Sequence, residues 1–357
     1  MRLGIIGLPS AGKTTLFNAL TGGRLPTGEV HAPGKVDVHT AVADVPDERL
    51  GALSRLFRPQ KTTPAKVTYA DIGGLRVAAG REGLPGPLLT HLSQMDGFVH
   101  VVRAFEDPAI PHPGGGIDPA RDLAALEGEF LLNDMLAVER RLERLREERQ
   151  KVMRDRAVID REAALFEHVA QSLNDQQPLR GASLSPDEDR LLAGFGLLSR
   201  RPMLVVVNLP EAGAMPDIQA PGPKTQVLGV QGKLEMEIAQ MPAGEAEDFL
   251  REYGIAEPGR LRVIRASYDL LDQHSFFTVG DDEVKAWTVR RGATAIEAAD
   301  TIHSDLARGF IRAEVIPWDQ MLTMETLSRA RSEAKLRAEG KDYVVADGDI
   351  VHIKFNV

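Results

Sequence analysis

Apolar residues come in short blocks along the first quarter of the chain. Leu3 to Ile6 reads as a strand that ends in a glycine-rich turn. Thr14 to Leu20 then reads as a helix, with Leu16, Phe17 and Leu20 on one side. Val36 to Ala43, Lys66 to Ala70 and Phe98 to Val102 are further predicted strands, and Met203 to Val207 is a nearly pure apolar run. Such runs suit parallel strands covered on both faces. Strands alternating with helices predict an α/β fold of the doubly wound type.

The pattern changes between about Arg121 and Leu173. Leu123, Leu126 and Phe130 recur at helical spacing, as do Met135, Val138, Leu142 and Leu145. Ile159, Glu162, Phe166, Val169 and Leu173 continue it less regularly. Two helices with narrow seams predict an antiparallel hairpin or coiled coil. Its charged face, with Arg140, Arg141, Arg144, Glu147, Glu148, Arg149 and Lys151, reads as solvated, the alternative being a docking surface for a large partner. Because the α/β pattern resumes at Met203, this helical part reads as an insertion. In the last 80 or so residues, Phe276 to Val279 and Glu283 to Val289 are predicted strands around Gly280-Asp281-Asp282. A single helix is expected over about Ala295 to Ala307, then a hairpin of Tyr343 to Ala346 and Ile350 to Phe355 about Asp347-Gly348-Asp349. The expectation is a small mixed domain of the β-grasp kind.

Composition narrows the function classes. The 357 residues include 43% hydrophobic and 27% charged, ordinary for a globular cytoplasmic protein. No apolar run approaches the roughly 18 residues of a membrane helix, so no membrane association is expected. The N-terminal apolar stretch breaks into a glycine loop too early for a signal peptide. With no cysteine, disulfides, thiolate metal sites and cysteine nucleophiles are excluded. A net charge of -9 argues against coating nucleic acid by bulk charge, and no DNA partner is expected. Arg290, Arg291, Arg308 and Arg312 remain a candidate RNA-facing patch, with solvated surface as the alternative. His303 and Asp305 read as helix and cap residues.

Gly7-Leu8-Pro9-Ser10-Ala11-Gly12-Lys13-Thr14 fits G-x-x-x-x-G-K-[ST], between a strand and a helix. Its glycines allow backbone N–H groups to turn toward phosphate oxygens, and the helix N-terminus adds partial positive charge. Lys13 is expected to bridge the β- and γ-phosphates, and the Thr14 hydroxyl to bind Mg²⁺. Asp71-Ile72-Gly73-Gly74 matches D-x-x-G, with Asp71 placed for the metal and the Gly74 N–H for the γ-phosphate. After the Met203 to Val207 strand comes Asn208-Leu209-Pro210-Glu211, where a GTPase has N-K-x-D. Leu replaces Lys, and Glu, one methylene longer than Asp, is poorly suited to bidentate guanine contact.

With these motifs in place, the chain resembles the YchF/Obg-like ATPase family almost end to end. The matches are the Gly7 to Thr14 loop, Asp71 to Leu75, Val101 to Glu106, Gly194-Phe195 and Asn208 to Glu211. Phe276 to Gly280, Ile302 to Asp305, Gly309 to Val315 and Glu339 to Tyr343 extend them to the C-terminal part. The resemblance implies a P-loop G domain over residues 1-120 and 200-274, an inserted helical coiled coil over 121-199 and a β-grasp TGS domain over 275-357. It also implies ATP preferred over GTP and ribosome association. Leu75 stands where a switch GTPase has its water-orienting Gln, and the family's substitute, a histidine on a mobile loop, falls on His112. Ser10 stands for the family's usual Asn, which bears on K⁺ dependence. The segment Thr27 to His39 lacks the family's F-x-T-I pattern. By offset Lys35 falls at the metal-binding Thr position, leaving Thr27 and Thr40 as candidates. The loop Arg76 to Pro87 also differs from the family's, and Gln231-Gly232-Lys233 replaces its Ser-Ala pair at the base, which marks a divergent member.

The expected enzyme is therefore a Mg²⁺-dependent nucleoside triphosphatase of the β–γ bond, using ATP or else GTP. Lys13 and His112 are its expected catalytic residues. Gly7, Ser10, Ala11, Gly12, Lys13, Thr14, Thr15, Gly74, Asn208, Leu209, Glu211, Gln231, Gly232 and Lys233 are expected to hold the nucleotide, and Thr14 and Asp71 the metal. The alternative is a nucleotide-gated ribosome- or RNA-binding scaffold with little hydrolysis. A small-molecule P-loop kinase would leave the D-x-x-G element and the terminal domain without a use.

Overall fold

A computed structural model describes residues 1–27, 36–73, 75, 83–151, 155–211 and 213–356. These form two compact units, residues 1–41 with 68–263, and residues 42–67 with 264–357.

The first unit is built on a six-stranded sheet. β1 (Arg2–Ile6) leads into α1 (Lys13–Thr21) and β2 (Val38–Asp44). The chain then makes α2 (Glu48–Phe57) and β3 (Lys61–Thr63) of the second unit before returning as β4 (Lys66–Ile72), α3 (Gly86–Ser93) and β5 (Gly97–Arg103). After the helices α4 (Pro119–Lys151), α5 (Arg156–Asn174) and α6 (Pro186–Leu192), it re-enters the sheet as β6 (Met203–Asn208) and β7 (Thr225–Val230). The helices α7 (Gly232–Gln240) and α8 (Ala243–Glu252) follow. The strand order is β2-β4-β1-β5-β6-β7, and the β1–β4, β1–β5, β5–β6 and β6–β7 pairs are parallel. Every residue of β5 and β6 is buried, the polar His100 and Arg103 of β5 included. Neighbours of β1 lie on both sides of it, so the chain leaves its C-terminal end at the point where an α/β sheet opens a crevice.

The middle helices form the expected pair. α4 and α5 bury Val138, Leu145, Ile159, Phe166 and Val169 together. One residue assigned to the solvated face behaves otherwise. Arg141 is mostly buried and pairs with Glu148 at 2.8 Å and Glu162 at 2.6 Å. Its long stem lies along the seam while its fork satisfies a carboxylate on each helix. The first turns of α4 belong to the sheet's core, with Phe130 5.1 Å from Phe98 between ring centroids. Asp134 accepts hydrogen bonds from Leu198 N, Ser199 N and Ser199 Oγ at 2.7 to 2.8 Å, which fixes where the chain comes back toward β6.

The second unit continues from α9 (Gly259–Leu270) with β8 (Gln273–Thr278), β9 (Glu283–Arg290), α10 (Ala295–Ile302) and α11 (Ser304–Arg308). It is completed by β10 (Phe310–Pro317), α12 (Trp318–Met324), α13 (Leu327–Ser332), β11 (Arg337–Glu339) and β12 (Asp349–Phe355). The sheet order is β11-β10-β12-β8-β9-β3. An antiparallel β8–β9 pair lies beside a parallel β12, the β-grasp arrangement. Arg49 holds Asp347 at 2.9 Å and so fastens residues 42–67 into this unit.

Two local expectations are corrected. The helix from Ala295 ends at Ile302, because His303 adopts an extended backbone and caps α11 by accepting from Asp305 N through Nδ1. Tyr343 to Ala346 is not a strand, and β12 pairs with β10 instead. Asp349 accepts hydrogen bonds from the Tyr343 hydroxyl and Ala346 N, which closes a local turn in place of a hairpin ladder. The arginines of the expected RNA patch are partly neutralised, since Arg308 pairs with Asp305 at 2.8 Å and Arg312 with Glu314 at 3.5 Å.

Candidate nucleotide site

The turn after β1 owes its shape to three residues with positive φ. Gly7 has φ +148°, and a Cβ there would come within 2.3 Å of the Val101 carbonyl oxygen. Gly12 has φ +95°, and its Cβ would lie 2.1 Å from Asn208 Nδ2. Ser10, at φ +63°, shares the left-handed region. Alternating backbone of this kind turns successive N–H groups to one side and forms an anion nest. α1 starts at Lys13 with no side-chain cap and no acid in its first turn, so its first N–H groups and the helix dipole are available to an anion.

Lys13 folds back over the loop. Its Nζ donates to Gly7 O at 3.1 Å and Leu8 O at 2.9 Å. Desolvation by burial lowers its pKa from 10.5 to about 8, against an opposing pull from the Asp71 carboxylate. A triphosphate brings in negative charge and restores the proton. ATP affinity should therefore be full below pH 8 and decline as pH rises through 8. Binding at pH 8.5 should take up part of a proton, so its calorimetric heat should vary with the ionisation enthalpy of the buffer. A buffer-independent heat at that pH would contradict this account of Lys13.

Thr14 Oγ1 donates to Asp71 Oδ2 at 2.7 Å, bringing the two expected metal ligands together. Asp71 is buried at the end of β4, and among the described residues its Oδ1 accepts no hydrogen bond. An orphaned buried carboxylate oxygen beside a hydroxyl is a donor set suited to a hard divalent cation. Among the described residues no group of three or more His, Cys, Asp or Glu is assembled to hold a metal. A Mg²⁺ ion held by Thr14 and Asp71 would also take phosphate and water oxygens as ligands, as this ion commonly does.

These groups lie on a cavity of about 820 Å³, ample for a nucleotide. Ser10, Gly12, Lys13, Thr14, Thr15 and Asp71 form one part of its wall, and Asn208, Leu209, Glu211, Gln231 and Lys233 another. Gly7, Ala11 and Gly232 shape the wall without being part of it. Asn208 acts as a clamp: its Nδ2 donates to Ala11 O at 3.1 Å while its Oδ1 accepts from Gly232 N at 3.0 Å. The phosphate loop and the start of α7 are therefore tied through one buried amide. Gln231 Nε2 donates to Glu211 O at 2.9 Å, and Lys233 Nζ lies 3.9 Å from Glu211 Oε1. Thr27 lines the cavity, whereas Thr40 is exposed on β2 and does not. Gly74 and Lys35 lie outside the described residues, as do parts of Thr27 to His39 and of Arg76 to Pro87.

His112 is not brought to the cavity. Its ring is buried, with Nε2 2.7 Å from Asp122 Oδ2 and Nδ1 accepting from Gly114 N at 3.0 Å. Arg121 closes the same knot, donating to Asp122 Oδ1 and to Gly116 O. Sequence reasoning also missed part of the wall. Phe105, Glu106, Asp107, Pro108 and Ile110 line the cavity, as do Leu234 and Met236. The first of these belong to the Val101 to Glu106 stretch, which stood out in the sequence without a chemical role.

Two family profiles match the chain. One, described as 50S ribosome-binding GTPase, covers residues 2–208. The other, the YchF-type C-terminal family described as a protein of unknown function (DUF933), covers residues 273–356. The "Ribosome-binding ATPase YchF" of Bacillus subtilis is 37% identical over 99% of both chains. That of Escherichia coli O157:H7 is 35% identical over 100% of this chain and 99% of its own. "Obg-like ATPase 1" of Oryza sativa is 36% identical over 100% of this chain and 92% of its own. The solved structure of the Schizosaccharomyces pombe YchF GTPase superposes with a TM-score of 0.84, at 31% identity, over 99% of this chain and 97% of that one. A phosphate loop shaped by Gly7 and Gly12, a Thr14–Asp71 hydrogen bond beside it and end-to-end similarity lead to one conclusion: the chain belongs to the YchF family of P-loop NTPases.

Proposed function

We propose that the protein hydrolyses the β–γ bond of a nucleoside triphosphate, ATP in preference to GTP, with Mg²⁺. On this reading it works in the cytoplasm as a ribosome-associated conformational switch with G-domain, coiled-coil and TGS parts, residues 42–67 going with the C-terminal part rather than with the G domain expected over 1-120. The observation that carries the proposal is the 2.7 Å Thr14–Asp71 contact beside Lys13 on the wall of the 820 Å³ cavity. The Lys13 ammonium and the loop amides stabilise charge that builds on phosphoryl oxygens in the transition state. Thr14 and Asp71 would hold Mg²⁺, which supplies neutralisation of the β- and γ-oxygens when bound. Leu75 is buried and apolar and cannot orient water, so that task falls to His112 once it leaves Asp122. At the base, Lys233 offsets the charge of Glu211 and weakens it as a double acceptor for guanine. Ribosome association enters from the relatives, whose names carry it.

The His112–Asp122 contact favours a second reading, a nucleotide-gated scaffold that barely hydrolyses. One single-turnover experiment separates the two. Phosphate release should be faster with ATP than GTP, and faster again when ribosomes are added. Tight ATP binding with no release in either condition would establish the scaffold instead. Release faster with GTP would reverse the reading of Glu211.

A further inference from the structure

Arg103 closes β5 and is 2% exposed, yet no ion pair accounts for it among the described residues. Its guanidinium spends its donors on main-chain oxygens. Nε donates to Phe105 O at 3.0 Å and Nη2 to Ile110 O at 2.9 Å. Nη1 reaches Ser10 O, on the phosphate loop, at 3.5 Å. The Phe105 ring packs 4.6 Å from the same guanidinium. Between the two held carbonyls the chain makes a tight turn, with Ala109 N and Ile110 N both donating to Asp107. Arg103 does not line the cavity, and its donors are turned to main-chain oxygens.

We infer that Arg103 is a positioning residue for hydrolysis, fixing the base of the His112 loop to the phosphate loop. His112 follows Ile110 by two residues, about 7 Å of extended chain. Any swing of the imidazole out of its Asp122 contact must pivot near Ile110, and Arg103 sets where that pivot stands relative to Ser10. A rigid planar fork reaches three carbonyls at once, whereas a lysine ammonium on one flexible stem does not. Misplacement of a catalytic group by about 1 Å costs on the order of 100-fold in rate.

This inference rests on the proposed role of His112, and its test separates the two. Arg103→Lys, His112→Ala and the double variant are compared by single-turnover phosphate release, calorimetric ADP affinity and thermal melting. Arg103→Lys is expected to lower the rate about 10- to 50-fold while ADP affinity changes less than about threefold. Added to His112→Ala, it should lower the rate no further than about twofold. A full additional loss in the double variant would overturn the inference and leave the histidine reading standing. So would a parallel loss of ADP affinity, which would mark Arg103 as structural only. An unchanged rate in His112→Ala would overturn the histidine reading and the inference with it. Arg103→Gln repeats the comparison should the lysine variant melt too early to assay.

Discussion

Lys13→Ala is expected to lower the rate of phosphate release by at least about 100-fold, equivalent to about 2.7 kcal/mol of transition-state stabilisation. Only two cations, Lys13 and Lys233, are among the described residues of the cavity wall, and Lys233 stands beside Glu211. Asp71, Glu106, Asp107 and Glu211 share that wall, so loss of Lys13 leaves a polyphosphate facing carboxylates, with Lys233 the one protein cation left among the described residues of the wall. The fold should tolerate the change. The Lys13 pKa is depressed by burial, so below its unfolded value the charged form costs folding free energy, and alanine removes that cost together with two hydrogen bonds to loop carbonyls. Melting of the nucleotide-free protein should therefore shift little. Phosphate release within about threefold of the parent, under conditions where the parent turns over, would remove Lys13 from the chemistry.

The phosphate loop was legible because its chemistry is local: eight consecutive residues carry the glycines, the lysine and the hydroxyl, and the strand before them is apolar. The central strands were legible for a similar reason, since burial on both faces leaves nothing but apolar side chains over Met203 to Val207. What was not legible depended on partners that the local pattern does not name. Tyr343 and Val345 alternate as strand residues do, but Asp349 captures the Tyr343 hydroxyl and β12 finds its ladder on β10. Pattern alone does not reveal that competition. The loop histidine is the same kind of case. Its residue type and proline-glycine surroundings mark His112 as noteworthy, but nothing local announces that Asp122, on the first turn of α4, would hold it. Asn208 was legible as a member of the base-reading motif, while its use as a clamp required Ala11 and Gly232 to be seen beside it.

That clamp makes Gly12→Ala the second severe substitution. Two costs fall on it. The first is conformational, since φ +95° is a region that L-residues rarely adopt, at about 1 to 2 kcal/mol. The second is steric, because the new methyl would sit 2.1 Å from Asn208 Nδ2, so one of them must move. Asn208 is buried with both ends of its amide engaged and has no free rotamer to retreat to without releasing Ala11 O and Gly232 N. A buried polar group left unpaired costs about 1 to 3 kcal/mol. The same displacement opens the phosphate loop and shifts the start of α7, so both parts of the cavity lose their shape together. The expected result is nucleotide affinity lower by about 100-fold or more, with a stability loss of about 2 to 4 kcal/mol. Gly22→Ala is the matched control at the other end of α1. Its φ of +68° is equally left-handed, but a Cβ there meets nothing within 4 Å. It should show only the conformational cost, about 1 kcal/mol, and bind nucleotide normally. Comparing ADP affinity and urea unfolding for the two variants isolates the collision with Asn208. If Gly12→Ala bound ADP as well as Gly22→Ala does, the amide clamp would not be what holds the two sides of the site in register.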